Sequence, residues 1–182
     1  MGCSRKSRVF GTKLKAFLES GWVTEAMERL PEVAPEGRSH MSFDPTGAWG
    51  WSFLHGGCGV LAHALKKWSK SRIQPWSVVF EATSRAREQT AAERVLHVVG
   101  KLEDDCFVDA AGAWSSKKLL NRYRRGLLPA KPRMWLEPYA PSRDVFCPLE
   151  PISALALMLE EDEGHSFQGR RRKPPRRRRT GR

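Results

Sequence analysis

The sequence predicts an α+β fold in which an apolar helix packs on a small antiparallel sheet. Two observations carry this. Apolar residues recur at helical spacing early in the chain and run almost uninterrupted after Gly56-Gly57, which marks helices. Further on, β-branched runs appear around Val78 and Val98, and the second is followed across a short acidic turn by another apolar stretch. Strands joined by a hairpin, with helices on one side, argue for α+β over a doubly wound sheet.

Leu14, Phe17, Leu18, Val23, Met27 and Leu30 are spaced for one or two amphipathic helices between Thr12 and Leu30, ended by Pro31 and Pro35. Glu32 to Gly50, rich in Pro, Gly and Ser, reads as a long loop. After the turn at Gly56-Gly57, the residues from Cys58 to Trp68 are apolar enough for a buried helix, with Lys66, Lys67 and Lys70 at its C-terminal end, where the dipole favours cations. Pro75 opens a strand over Trp76 to Glu81, and Val95 to Val99 forms a second. Lys101 to Asp105 is a turn, and Cys106 to Asp109 returns as a third strand.

Gly112 to Ser116 reads as a loop, with Ser115 or Ser116 capping a helix to about Arg125 that turns Leu119, Leu120 and Tyr123 inward. Met134 to Leu136 is a short edge strand, and a last helix starts near Pro151 and reaches the acids Glu160 to Glu163. The organisation is therefore an N-terminal helical and loop region over 1–45, an α+β core over 46–163 and a disordered basic tail over 164–182.

The 182 residues carry 32 Lys+Arg against 20 Asp+Glu. Nine of the basic residues fall between Arg170 and Arg182, where there is no acid, so 23 basic residues face 20 acidic ones elsewhere. The net charge of +12 thus describes an appendage more than a basic body. Such a tail, split by Pro174-Pro175 and without aromatics, offers weak, non-specific affinity for nucleic acid. Its plainer reading is a solubilising end.

The four cysteines, Cys3, Cys58, Cys106 and Cys147, have no short pair spacing. This favours a reducing compartment and a cytoplasmic location, with Cys106 and Cys147 as buried thiols. The start Met1-Gly2-Cys3-Ser4-Arg5-Lys6 departs from a myristoylation pattern at Lys6 and reads as a short basic end. No apolar run is long enough to span a bilayer. No glycine-rich phosphate loop or dinucleotide fingerprint occurs.

Three residues carry candidate chemistry. Cys58 opens a helix between Gly57 and Gly59, where unpaired backbone N–H groups and the dipole favour a thiolate. The alternative is an inert buried thiol. His97 interrupts a run that is otherwise Val and Leu, where an imidazole gains nothing unless both nitrogens are used. Asp109 ends the returning strand and suits an orienting carboxylate; alternatively it caps the turn before Gly112.

A three-residue turn with Lys101 opposite Asp105 sets Val99 against Phe107 and His97 against Asp109, on one face. A two-residue turn sends Asp109 to the other face. His55 and His63 flank Cys58, but with Cys58 and His97 they lack the short ligand pair of a zinc site; no metal and no cofactor is expected.

Gly57-Cys58-Gly59-Val60-Leu61-Ala62, His97-Val98-Val99 and Phe107-Val108-Asp109-Ala110 together resemble the papain-like and transglutaminase-like cysteine enzymes, and small bacterial and phage proteins with a similar pattern. The resemblance covers Trp51 to Trp114. It implies a helix headed by the nucleophile Cys58, packed on an antiparallel sheet that carries the base His97 and the orienter Asp109. It also implies a peptide, amide or acyl substrate. The family's Gln six residues before the Cys is replaced by Ser52, which weakens peptidase chemistry relative to deamidation, acyl transfer and transglutaminase-like chemistry, all of which stay open. Three function classes therefore stay open: a cysteine-dependent hydrolase or acyltransferase, a nucleic-acid-associated accessory protein using its tail, and an inactive papain-like interaction domain.

Overall fold

The computed structural model describes residues 2–28, 53, 57–81, 95–126, 132–139 and 149–168. The expected loop over Glu32 to Gly50, Ser52, His55, Cys147 and the chain from 169 onward lie outside the described residues, whereas 164–168, expected to belong to the disordered tail, continue the last helix.

The elements in chain order are α1 (Arg5–Leu18), α2 (Gly21–Glu28), α3 (Cys58–Trp68), β1 (Gln74–Phe80), β2 (Val95–Lys101), β3 (Cys106–Asp109), β4 (Gly112–Ser115), α4 (Ser116–Gly126), β5 (Met134–Pro138) and α5 (Leu149–Gln168). The five strands form one antiparallel sheet in the order β4-β3-β2-β1-β5. The chain is α+β. Residues 112–115, read from sequence as a loop, are instead an edge strand: the two-residue turn closed by Asp109↔Gly112 folds them back on β3. Gly112, at φ +134°, takes a backbone conformation that side chains disfavour.

Helices cover both faces of the sheet, not one. On the first face α3 lies with α1, α2 and α5 around Leu14, Phe17, Val23, Leu61, Leu65, Val108 and Leu155. The N-terminal helices thus share the core of the sheet and α3. On the second face α4 places Leu119, Leu120 and Tyr123 over Val78, Val99, Phe107 and Met134. Strand alternation explains this sorting. Val98 packs with Ala62 of α3, whereas Val99 packs on the α4 side.

Helix α1 begins earlier than apolar spacing suggests, because Ser4 caps it by accepting a hydrogen bond from the Ser7 backbone at 3.1 Å. Asp104 of the β2–β3 turn then accepts from Ser4 N at 3.0 Å and from the Ser7 hydroxyl at 2.6 Å. These contacts, led by the Ser7 hydroxyl, hold the Asp104 carboxyl down at about 2. With the helix start fastened there, Cys3 and Cys106 come to a Cα separation of 5.3 Å and are joined by a disulfide. The expectation of a free buried thiol at Cys106 is therefore corrected, and with it the reading of cysteine usage as a sign of a reducing compartment. No helix of the described residues is long and apolar enough to cross a membrane.

The β2–β3 hairpin also corrects the expected register. Its turn is Glu103 to Asp105, closed by Leu102 N donating to Cys106 O at 2.7 Å, with Asp105 at φ +55°. The pairs are Gly100↔Val108 and Lys101↔Phe107. Continued, this register sets Val99 opposite Asp109 and leaves His97 on the diagonal. The slip is two residues, an even number, so His97 and Asp109 keep a common face.

Candidate active site

The ladder between β2 and β3 is only two pairs long. N-terminal to Gly100 the described residues of β3 do not pair with β2. Gly57 caps α3 without a side-chain hydrogen bond. Val98 and Gly59 both make backbone hydrogen bonds to the Cys58 sulfur, which His97 also meets. Cys58 heads α3, which packs on one face of the sheet, and meets His97, whose ring lies against Tyr123 of α4. A register irregularity in β1–β2 adjoins this point: Val78 pairs with His97 but Val79 with Val95, leaving Leu96 as the extra residue.

His97 and Asp109 are each only 1% exposed. The His97 Nε2 lies 3.6 Å from Asp109 Oδ2, just beyond hydrogen-bond length, and has no hydrogen-bond partner among the described residues. The imidazole nitrogen left to meet Cys58 is therefore Nδ1. The ring lies 5.0 Å from that of Tyr123, tilted by 34°.

Asp109 combines the two roles weighed from sequence. Its Oδ1 accepts from Ala111 N at 2.9 Å, which caps the turn, and from Trp114 Nε1 at 2.9 Å. Its Oδ2 accepts from Arg122 Nη1 at 3.2 Å and faces His97.

The electrostatics of the three groups interlock. Burial pushes the Cys58 thiol up, but hydrogen bonding and charge from His97, with the backbone at Val98 and Gly59, outweigh it and bring the thiol below its ordinary value. Burial pushes His97 down, yet Asp109 and Cys58 together raise it to about 9. Burial likewise pushes Asp109 up, and His97, Trp114 and Arg122 bring it below the usual carboxylate range. Burial, with the Asp109 charge, keeps the Tyr123 hydroxyl protonated well above its ordinary value. The arrangement favours a thiolate beside an imidazolium, the state in which a cysteine is a nucleophile.

The structure brings Cys58, His97 and Asp109 into one cluster. His63 sits elsewhere on α3, its ring 5.6 Å from that of Tyr139. Burial and the charge of Lys66 depress its proton affinity. No group of three or more His, Cys, Asp or Glu among the described residues is arranged to hold a metal ion.

Sequence reasoning missed Trp114 and Arg122 as partners of Asp109. A readable signal for Trp114 was the tight Asp109-Ala110-Ala111-Gly112 turn followed by alternating Ala113-Trp114-Ser115, a hairpin pattern. Arg122, next to the inward Tyr123 on α4, carried no such signal. No protein-family model, curated protein or solved structure matches the chain.

Proposed function

We propose that this protein is a cysteine-dependent hydrolase or acyltransferase of papain-like or transglutaminase-like type, acting on a peptide, amide or other acyl substrate. The observation that supports it is the buried Cys58–His97 hydrogen bond backed by Asp109, with the thiol lowered and the imidazole raised.

In this reading the Cys58 thiolate attacks the substrate carbonyl carbon, and the C=O electron pair moves to oxygen. N–H groups of the first turn of α3 stabilise that oxyanion. The His97 imidazolium then gives its proton to the leaving amine as the C–N bond breaks, leaving a thioester on Cys58. Neutral His97 next takes a proton from water or an acceptor amine as it attacks the thioester, and the thiolate leaves. Asp109 stays ionised throughout and orients the imidazole.

The test is iodoacetamide labelling at pH 6.5, read at Cys58 by peptide mass mapping. An intact site labels about tenfold faster than the same protein in urea, because little free thiol is ionised at that pH, and His97→Ala removes the advantage. Labelling of Cys58 only after unfolding would overturn the proposal.

A further inference from the structure

The two oxygens of Asp109 are held in different ways. Oδ1 is fixed by neutral donors, Ala111 N and Trp114 Nε1, and these set where the carboxylate sits. Oδ2 is shared by two cationic groups, Arg122 Nη1 at 3.2 Å and His97 Nε2 at 3.6 Å. Arg122 is itself clamped. Its guanidinium carbon lies 5.1 Å from the centre of the Trp114 ring and 5.7 Å from that of Tyr123. Trp114 donates to Asp109, and the Tyr123 ring lies tilted against that of His97. The fixed cation is thus held by side chains that each touch a member of the cluster, in a site that buries Asp109 almost completely.

We propose that Arg122 is a positioning residue that sets the proton affinity of His97 by sharing Asp109 Oδ2 with it. A guanidinium is charged at all relevant pH, so it keeps the carboxylate ionised whether or not His97 holds a proton. The same charge opposes a second cation on that oxygen. Arg122 therefore limits how tightly Asp109 retains the imidazolium proton, which His97 must release in each turnover. The inference rests on the catalytic reading of Cys58, His97 and Asp109. Among the described residues, the charged or titratable groups at His97 are Cys58 from α3, Asp109 from β3 and Tyr123 from α4, with Arg122 of α4 behind Asp109; β1 opposes it with Val78, which carries no charge.

The two accounts of Arg122 differ in sign. If it shares the oxygen, its loss leaves Asp109 to His97 alone, and the His97 midpoint rises. If it merely packs, its loss loosens the carboxylate, and the midpoint falls toward that of a free imidazole. The measurement is the His97 titration by imidazole ¹⁵N NMR in Arg122→Met and Arg122→Lys, with Arg122→Gln carrying the same prediction as Met should the Met variant fail to fold.

The neutral variants should titrate about one pH unit higher, at the low end of what a neighbouring charge produces, because Arg122 is 34% exposed and partly screened. The Lys variant, which keeps the charge, should stay near the wild type. An unchanged or lowered midpoint in the neutral variants overturns the proposal. The titration needs no substrate, so its failure is separate from failure of the catalytic reading, which would show as an unreactive Cys58.

Discussion

Replacing Asp109 by Asn should destabilise the protein much more at pH 6 than at pH 10. The Asn side chain still offers an oxygen to Ala111 N–H and Trp114 Nε1–H, so the turn before Gly112 survives. What disappears is the negative charge facing His97. His97 is raised from 6.5 to about 9, and at ~1.4 kcal/mol per pH unit this favours the protonated folded form by about 3 kcal/mol. Asp109 leads the causes that raise it and Cys58 supplies the rest, so about 3 kcal/mol is the ceiling on what the Asp109 charge contributes.

The sign follows from linkage. A group whose proton affinity is raised on folding contributes fully below its unfolded midpoint, here about 6.5, and loses that contribution as the pH climbs through about 9. At pH 10 His97 is neutral in both proteins, and only the Asp109–Arg122 contact separates them. Urea unfolding of wild type and Asp109→Asn at the two pH values measures the difference of differences. A gap of equal size at pH 6 and pH 10, or a larger one at pH 10, would refute the reasoning.

Dithiothreitol, or Cys3→Ser, should lower stability by about 4–5 kcal/mol, because the disulfide joins residues 103 apart in sequence; a melting temperature indifferent to reductant would contradict this. Gly11→Ala should destabilise by about 2 kcal/mol despite alanine's better helix propensity. A Cβ on Gly11 would fall 2.5 Å from the Ala113 backbone nitrogen and 2.6 Å from its Cβ, where β4 cannot yield cheaply. A higher melting temperature for that variant would show that the α1–β4 contact is looser than described.

Where local signals were strong, the sequence could be read to the residue. Gly57 and the run of apolar side chains placed α3 at Cys58–Trp68, and β-branching placed β2 and β3 within a residue or two. Parity carried the rest of the His97–Asp109 argument. A three-residue turn puts the two on one face whether it spans 102–104 or 103–105, so the face was legible although the pairing was not.

Other features were set by parts distant in sequence. The Cys3–Cys106 bond depends on α1 docking against the β2–β3 turn, which no spacing announces. Strand β4 has one large apolar side chain in four residues, and its pairing with β3 outweighs its weak pattern. Arg122 reads as one more cation on a basic helix until tertiary packing sets it between Trp114 and Tyr123.

The Cys3–Cys106 bond also changes what a broken backbone would mean. It closes residues 3–106 into a covalent ring that carries Cys58 and His97, while Asp109 lies three residues outside. One peptide cleavage within the ring opens it without releasing a fragment. A cut between residues 58 and 97 would place nucleophile and base on separate polypeptides that remain one molecule. Such a product would keep an intact-looking size on a gel run without reductant and would split into two bands with it.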